Sequence, residues 1–93
     1  MNSPIDTGAL FHGGSPAAIR RIPSEIRSTA VRKLDMVNAA RQLRNLKVPP
    51  ANRLEALKGD LKGKHSIRIN QRWRIVFRWE AGDAYEVSIV DYH

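Results

Sequence analysis

The chain of 93 residues closes on Asp91-Tyr92-His93, a carboxylate, a phenol and an imidazole in succession, with Lys58 and Arg74 upstream. Breaking an RNA phosphodiester without a metal ion needs a base for the 2′-hydroxyl proton, cations for the charge that builds on phosphorus, and an acid for the departing 5′-oxygen. An unperturbed histidine titrates near pH ~6.5, so His93 can serve as acid or base. Lys58 and Arg74 would supply positive charge, and an arginine offers a phosphoryl group a planar fork. Tyr92 could stack on a base or donate its phenolic proton. As the last residue, His93 is expected beside a terminal carboxylate, with Asp91 at the rim of the sheet. Three polar residues in a row are also what an exposed strand end looks like, so this pattern alone leaves both readings open.

For these groups to meet, the second half of the chain must form a sheet. His65, Ile67 and Ile69 alternate with Ser66 and Arg68, and Asn70-Gln71 reads as a turn. Trp73, Ile75, Phe77 and Trp79 then alternate with Arg72, Arg74, Val76 and Arg78, giving one apolar and one basic face. Ala81-Gly82-Asp83 supplies the next turn, and Tyr85, Val87 and Ile89 mark a last strand. Closing that hairpin over the three residues Ala81 to Asp83 sets Glu80 opposite Ala84, Arg74 opposite Val90 and Arg72 opposite Tyr92. Arg74 and Tyr92 become diagonal neighbours, although a slip of one residue would send Tyr92 to the other face. The regular aromatic alternation is read as core, and His65 as a packed or partly exposed histidine. Arg68, Arg72, Arg74 and Arg78 are expected on an open face, as RNA-binding groups for phosphates and bases.

Ahead of the sheet, Ile22, Ile26, Ala30, Leu34 and Val37 recur at helical spacing, while Arg27, Arg32, Lys33 and Arg41 are placed on other faces. Pro23 suits a first turn, followed by Ser24 and Glu25. Residues 22–47 are expected to be helical, with Leu43 and Leu46 either continuing the helix or forming a second short turn before Pro49-Pro50 ends it. Residues 1–16 read as a weakly structured arm with one short turn around Ala9 to His12, and residues 53–93 as sheet and active site. Helices first and a meander afterwards predict a single α+β domain with helices on one face of a mainly antiparallel sheet.

Composition narrows the field. Sixteen Lys and Arg against nine Asp and Glu give a net charge of +7, which suits a polyanionic partner, and nucleic acid first among several. With no cysteine and three scattered histidines, His12, His65 and His93, neither a thiolate nucleophile nor a metal site is expected. No apolar run approaches the ~20 residues of a membrane span, and no leader pattern opens the chain, so a cytoplasmic protein without membrane association is expected. Lys58-Gly59-Asp60 with Lys62-Gly63-Lys64 lacks the spacing of a nucleotide-binding loop.

Residues 54–93 resemble the carboxy-terminal half of the HigB branch of the RelE toxin superfamily, the plasmid maintenance system killer proteins. The resemblance rests on Leu57-Lys58-Gly59-Asp60, His65-Ser66-Ile67-Arg68, Trp73-Arg74-Ile75 with Phe77, and Asp91-Tyr92-His93. Ala9-Leu10-Phe11, Arg32-Lys33-Leu34 and Asn52-Arg53-Leu54 extend it more weakly into the first half. It implies a RelE-like twisted sheet, metal-free cleavage of mRNA on the translating ribosome, and neutralisation by a helix-turn-helix antitoxin of the HigA kind. It also implies a free toxin that is monomeric and enters a larger assembly with its antitoxin, and no cofactor. Carried over, the family's functional positions fall on Lys58, Arg74, Asp91, Tyr92 and His93: His93 for proton transfer, Asp91 supporting or sharing it, Tyr92 for stacking, Lys58 and Arg74 for the phosphate. Some members of this branch carry a histidine three residues before the loop lysine, where this chain has Glu55, a candidate contributor as a base or else a catalytically silent position. Pro4 makes the opening residues poor strand material compared with the family's first strand. The alternatives are a ParE-like toxin acting on DNA gyrase, or a weakened member that only binds antitoxin or RNA.

Overall fold

The structure, a computed structural model, describes residues 4–6 and 22–91. Apart from residues 4–6, the arm expected over residues 1–16 lies outside the described residues, as do the turn expected around Ala9 to His12 and both Tyr92 and His93. A short strand β1 (Pro4–Asp6) is followed by the helix α1 (Ser24–Ala39) and by 3₁₀ turns over Leu43–Lys47 and Pro50–Asn52. Then come β2 (Glu55–Ala56), a further 3₁₀ turn (Gly59–Leu61), β3 (Lys64–Arg68), β4 (Trp73–Glu80) and β5 (Asp83–Asp91). The five strands lie in the order β1-β5-β4-β3-β2, antiparallel throughout, so both edges are short. Short edges leave little unpaired backbone for another chain to extend. No helix among the described residues is long and apolar enough to cross a membrane.

The helical stretch is shorter than its periodicity suggests. Pro23 stands just outside α1, accepting a bond from the Ile26 N–H, and at Ala40 the backbone turns extended (φ −66, ψ 132) while its N–H still bonds the Met36 carbonyl. Leu43 and Leu46 therefore sit on a separate turn, and Leu46 drops into the core. Ile26, Ala30, Leu34 and Val37 of α1 pack with Ile67, Ile75, Phe77, Val87 and Ile89 of the sheet. Trp73 and Trp79 flank this layer, as the alternation in β4 requires. Burial of each large aliphatic contributes about 1.5–3 kcal/mol, which is what holds a helix of this length to the sheet.

Lys33 departs from expectation: it lies in the buried stripe of α1, not on an outer face, and is only 5% exposed. Its Nζ donates to Asn52 Oδ1 at 2.7 Å and to the Arg68 carbonyl at 2.8 Å, and the Asn52 amide in turn donates to the Leu46 and Val48 carbonyls. Burial, helped by neighbouring Arg32, holds the Lys33 pKa below the ordinary 10.5.

The β4–β5 hairpin reaches the expected pairing by another route. Ala81 (φ 53) and Gly82 (φ 83) form a two-residue turn, so Glu80 opposes Asp83, not Ala84. Two successive residues with positive φ match the twist of a tight hairpin. One extra residue then enters β5 as a bulge at Glu86 (φ 52), between the Arg78↔Tyr85 and Val76↔Ser88 pairs. The bulge adds back the residue that the turn left out, and Arg74 faces Val90 as expected.

Two outcomes follow. Ala81→Gly removes a left-handed strain of about 1–2 kcal/mol and gives part of it back as chain entropy, so a gain of about 0.5–1 kcal/mol is expected in urea unfolding. Lys33→Met leaves Asn52 Oδ1 and the Arg68 carbonyl without their donor and should cost about 1–3 kcal/mol. Because the folded pKa of Lys33 is the lower one, the unfolded chain binds more protons as pH approaches 10.5. The lysine's contribution to stability therefore rises with pH in that window, and Lys33→Met should lose that rise in unfolding titrations.

Candidate active site

Alternation divides the sheet into two faces. Ile75 and Phe77 point to α1, and Arg74, Val76 and Arg78 point away from it. The far face is not open: Ser66, Arg74 and Val76 are 1%, 8% and 3% exposed. Across its strands run two rows, Arg68–Arg74–Val90 and Glu55–Ser66–Val76–Ser88. Arg74 reaches diagonally from one row to the other and donates from Nη1 to Glu55 Oε1 at 3.2 Å. The Arg74 side chain is 10% exposed and that of Glu55 is 52%, so a withdrawn cation is met by a carboxylate at the surface. Arg68, directly opposite Arg74, is half-buried, and its Nε has no hydrogen-bond partner among the described residues.

Lys58 is exposed and precedes the Gly59–Leu61 turn. The Leu57 N–H to Lys64 carbonyl bond closes the loop, and Gly59 (φ 63) makes the sharp step behind the lysine. Lys58 and Glu55 share a recess of about 320 Å³ with Ala56, Leu57 and Leu61. The structure thus brings Glu55 to both Arg74 and Lys58.

Asp91 is engaged elsewhere. Paired with Trp73 in the ladder, it accepts two bonds from Arg72, Nε at 2.6 Å and Nη2 at 2.8 Å. This bidentate contact raises the Arg72 pKa through the hydrogen bond first and the charge second. Arg72 is held in place because the Asn70 side chain accepts the Arg72 and Trp73 N–H groups, an Asx turn that directs the chain into β4. At the other end of the face, Arg78 donates to Glu80 and to Glu86 (3.2 Å) and lies over the Tyr85 ring at 4.9 Å. Lys64 also pairs with Glu86 at 3.3 Å, and the hydrogen bonds from these two cations lower the Glu86 pKa.

The four arginines expected on one open face are therefore separated. Arg74 and Arg68 share a row, Arg72 is clasped by Asp91 at the turn, and Arg78 is occupied by carboxylates. Charge pairing across strands is what composition alone hides. The signal was present in the spacing of Arg78 and Glu80, two apart on one strand face, and in Asp91 lying across from the Asn70–Arg72 turn. Three groups converge among the described residues, Arg74, Glu55 and Lys58, with Arg68 beside them.

Comparison with known proteins adds the context for this arrangement. The pattern of the family described as RelE-like toxin of type II toxin-antitoxin system HigB matches residues 14–93. Toxin HigB-1 of Vibrio cholerae serotype O1 is 46% identical over 65 residues, which are 70% of this chain and 68% of that protein. An uncharacterized protein of Haemophilus influenzae is 38% identical over 60 residues, 64% of this chain and 59% of the relative. Endoribonuclease HigB of Proteus vulgaris is 46% identical over 41 residues, 44% of this chain and 45% of the relative. The match to the family takes in α1, β2 to β5 and every residue of the site just described. On that span the chain belongs to the HigB family of RelE-like toxins of type II toxin-antitoxin systems.

Proposed function

We propose that this toxin is an endoribonuclease that cuts mRNA on the translating ribosome in the cytoplasm and is neutralised by a helix-turn-helix antitoxin of the HigA kind. The name of the Proteus relative supports the nuclease. The observation that carries the chemistry is Arg74, a guanidinium drawn into the sheet and aimed at an exposed carboxylate. A cation fixed in this way is preorganised for an anion, and in a site of reduced dielectric such donors supply much of the rate.

In this reading the 2′-oxygen attacks the adjacent phosphorus as a base takes its proton. The bond to the 5′-oxygen breaks as an acid protonates it, leaving a 2′,3′-cyclic phosphate and a 5′-hydroxyl. Arg74 and Lys58 hold the phosphoryl oxygens, His93 moves the proton, and Tyr92 stacks on a base. Asp91 supports the site's rim by its bidentate hold on Arg72. Glu55 occupies Arg74 in the absence of RNA and yields to the phosphate when RNA binds.

Brief expression of wild type and His93→Ala in bacteria, with mapping of mRNA 5′ ends, tests the proposal. Cuts within translated codons that vanish in the variant are expected; growth arrest with intact mRNA and altered DNA supercoiling would overturn it in favour of a gyrase toxin. Arg74→Lys keeps the charge but not the fork and should lower kcat by about 10²-fold in cleavage of a translated message. The part-buried pair of Arg74 with the half-exposed Glu55 is worth on the order of 1 kcal/mol, so Glu55→Gln should tighten binding of a 2′-O-methyl oligonucleotide about five-fold, read by fluorescence anisotropy.

A further inference from the structure

Four cations of the sheet and its β3–β4 turn are matched, Lys64, Arg72, Arg74 and Arg78 each facing a carboxylate, whereas Arg68 has no ion-pair partner among the described residues. Those on the loops between α1 and β3 are unmatched as well, since Arg44, Lys47, Arg53, Lys58 and Lys62 have no ion-pair partner among the described residues. Unpaired cations thus lie on the segments that flank β2 in the chain. On the side of β2 away from Arg74 lies a recess of about 400 Å³ lined by Leu43, Arg44, Lys47, Leu54, Ala56 and His65.

Its parts are those a nucleotide needs. Leu43, Leu54 and Ala56 give an apolar floor. Arg44 and Lys47 are both exposed, and three residues per turn in the Leu43–Lys47 turn brings them to the same side of the rim. His65 lines the recess with its imidazole stacked on Phe77 (centroids 6.2 Å apart, 25° between planes), and its Nδ1, buried on the protein side, has no hydrogen-bond partner among the described residues. A flat ring over apolar carbons with cations at the rim suits stacking of a base and capture of its phosphate. The volume lies at the small end of the ~300–1,000 Å³ range of ligand pockets, which fits one nucleotide better than a folded partner.

Its position gives it a role. β2 is two residues long, Glu55 pointing toward Arg74 and Ala56 toward this recess, so the strand is a rim with the Arg74 site on one side and His65 on the other. The two-residue β2 is what separates the Arg74 and Lys58 side from this recess. We propose that the recess between the Leu43–Lys47 turn and β2 binds a base and phosphate of single-stranded RNA next to the cleaved linkage. The proposal rests on the reading of the Arg74 side as the cleavage site, and it makes the recess a specificity element for a flanking nucleotide.

The test compares a dinucleotide and a hexanucleotide of 2′-O-methyl RNA, which lacks the nucleophilic hydroxyl, by fluorescence anisotropy on the full chain. The double variant Arg44→Ala, Lys47→Ala should bind the hexanucleotide about ten-fold more weakly and the dinucleotide within about two-fold of wild type. Its slope of log affinity against log salt for the hexanucleotide should fall by about 0.7, the value for one phosphate neutralised on a single strand. In wild type, the His65 ring resonances should move with the hexanucleotide and not with the dinucleotide, a readout that needs no variant to fold. An equal loss at both lengths, an unchanged hexanucleotide affinity, or a silent His65 ring would overturn the recess. A double variant that keeps RNA affinity and loses affinity for an acidic antitoxin would overturn it too. If Arg74→Lys still weakens both oligonucleotides in those cases, the cleavage reading stands alone; if wild type neither binds nor cuts RNA, both readings fall.

Discussion

Lys33 is the residue on which the layers of this fold agree. A charged amine set between a helix and a sheet, with no carboxylate paired to it among the described residues, is held there by the Asn52 side chain and the last carbonyl of β3. Asn52 is fully buried and passes the constraint on to the carbonyls of Leu46 and Val48. One ammonium thus fixes the distance between α1, the turns after it and the end of β3. Apolar contacts tolerate sliding, whereas a buried donor without its acceptor costs a large part of a small domain's stability. That fixed end is where Arg68 stands opposite Arg74, so the candidate site is positioned from beneath the sheet.

Above the sheet, charges are organised by pairing. A net charge of +7 suggests a uniformly basic surface, but the strands carry carboxylates beside their arginines. Paired guanidiniums are rigid and oriented; unpaired lysines and arginines on loops are mobile sources of field. The protein has both, with oriented cations in the sheet and unpaired ones on the segments that flank β2 in the chain.

Much of this was legible in the sequence. The stripe Ile26, Ala30, Leu34 and Val37 and the alternation around Phe77 follow from their periods. What escaped are features set by tertiary partners. Lys33 reads as a solvated residue until Asn52 and the Arg68 carbonyl are placed against it. The helix ends at Ala39 with no glycine or proline to announce it, because the next turn is needed to drop Leu46 into the core. Arg72 and Arg78 look free along the chain and are bound across it. The expected β4–β5 register was right at Arg74 although its turn was one residue too long, since the bulge at Glu86 made up the difference.

That compensation has an evolutionary reading. The tip of a hairpin is ordinarily where a lineage can gain or lose a residue at little cost. Here the Ala81-Gly82 tip and the Glu86 bulge together determine whether Val87 and Ile89 face the core. A residue inserted at the tip leaves the phase of the strand intact only if one is lost at the bulge. Length changes in this hairpin should therefore accumulate in pairs, and an aligned gap near Gly82 marks a relative that has moved its irregularity from the strand to the tip.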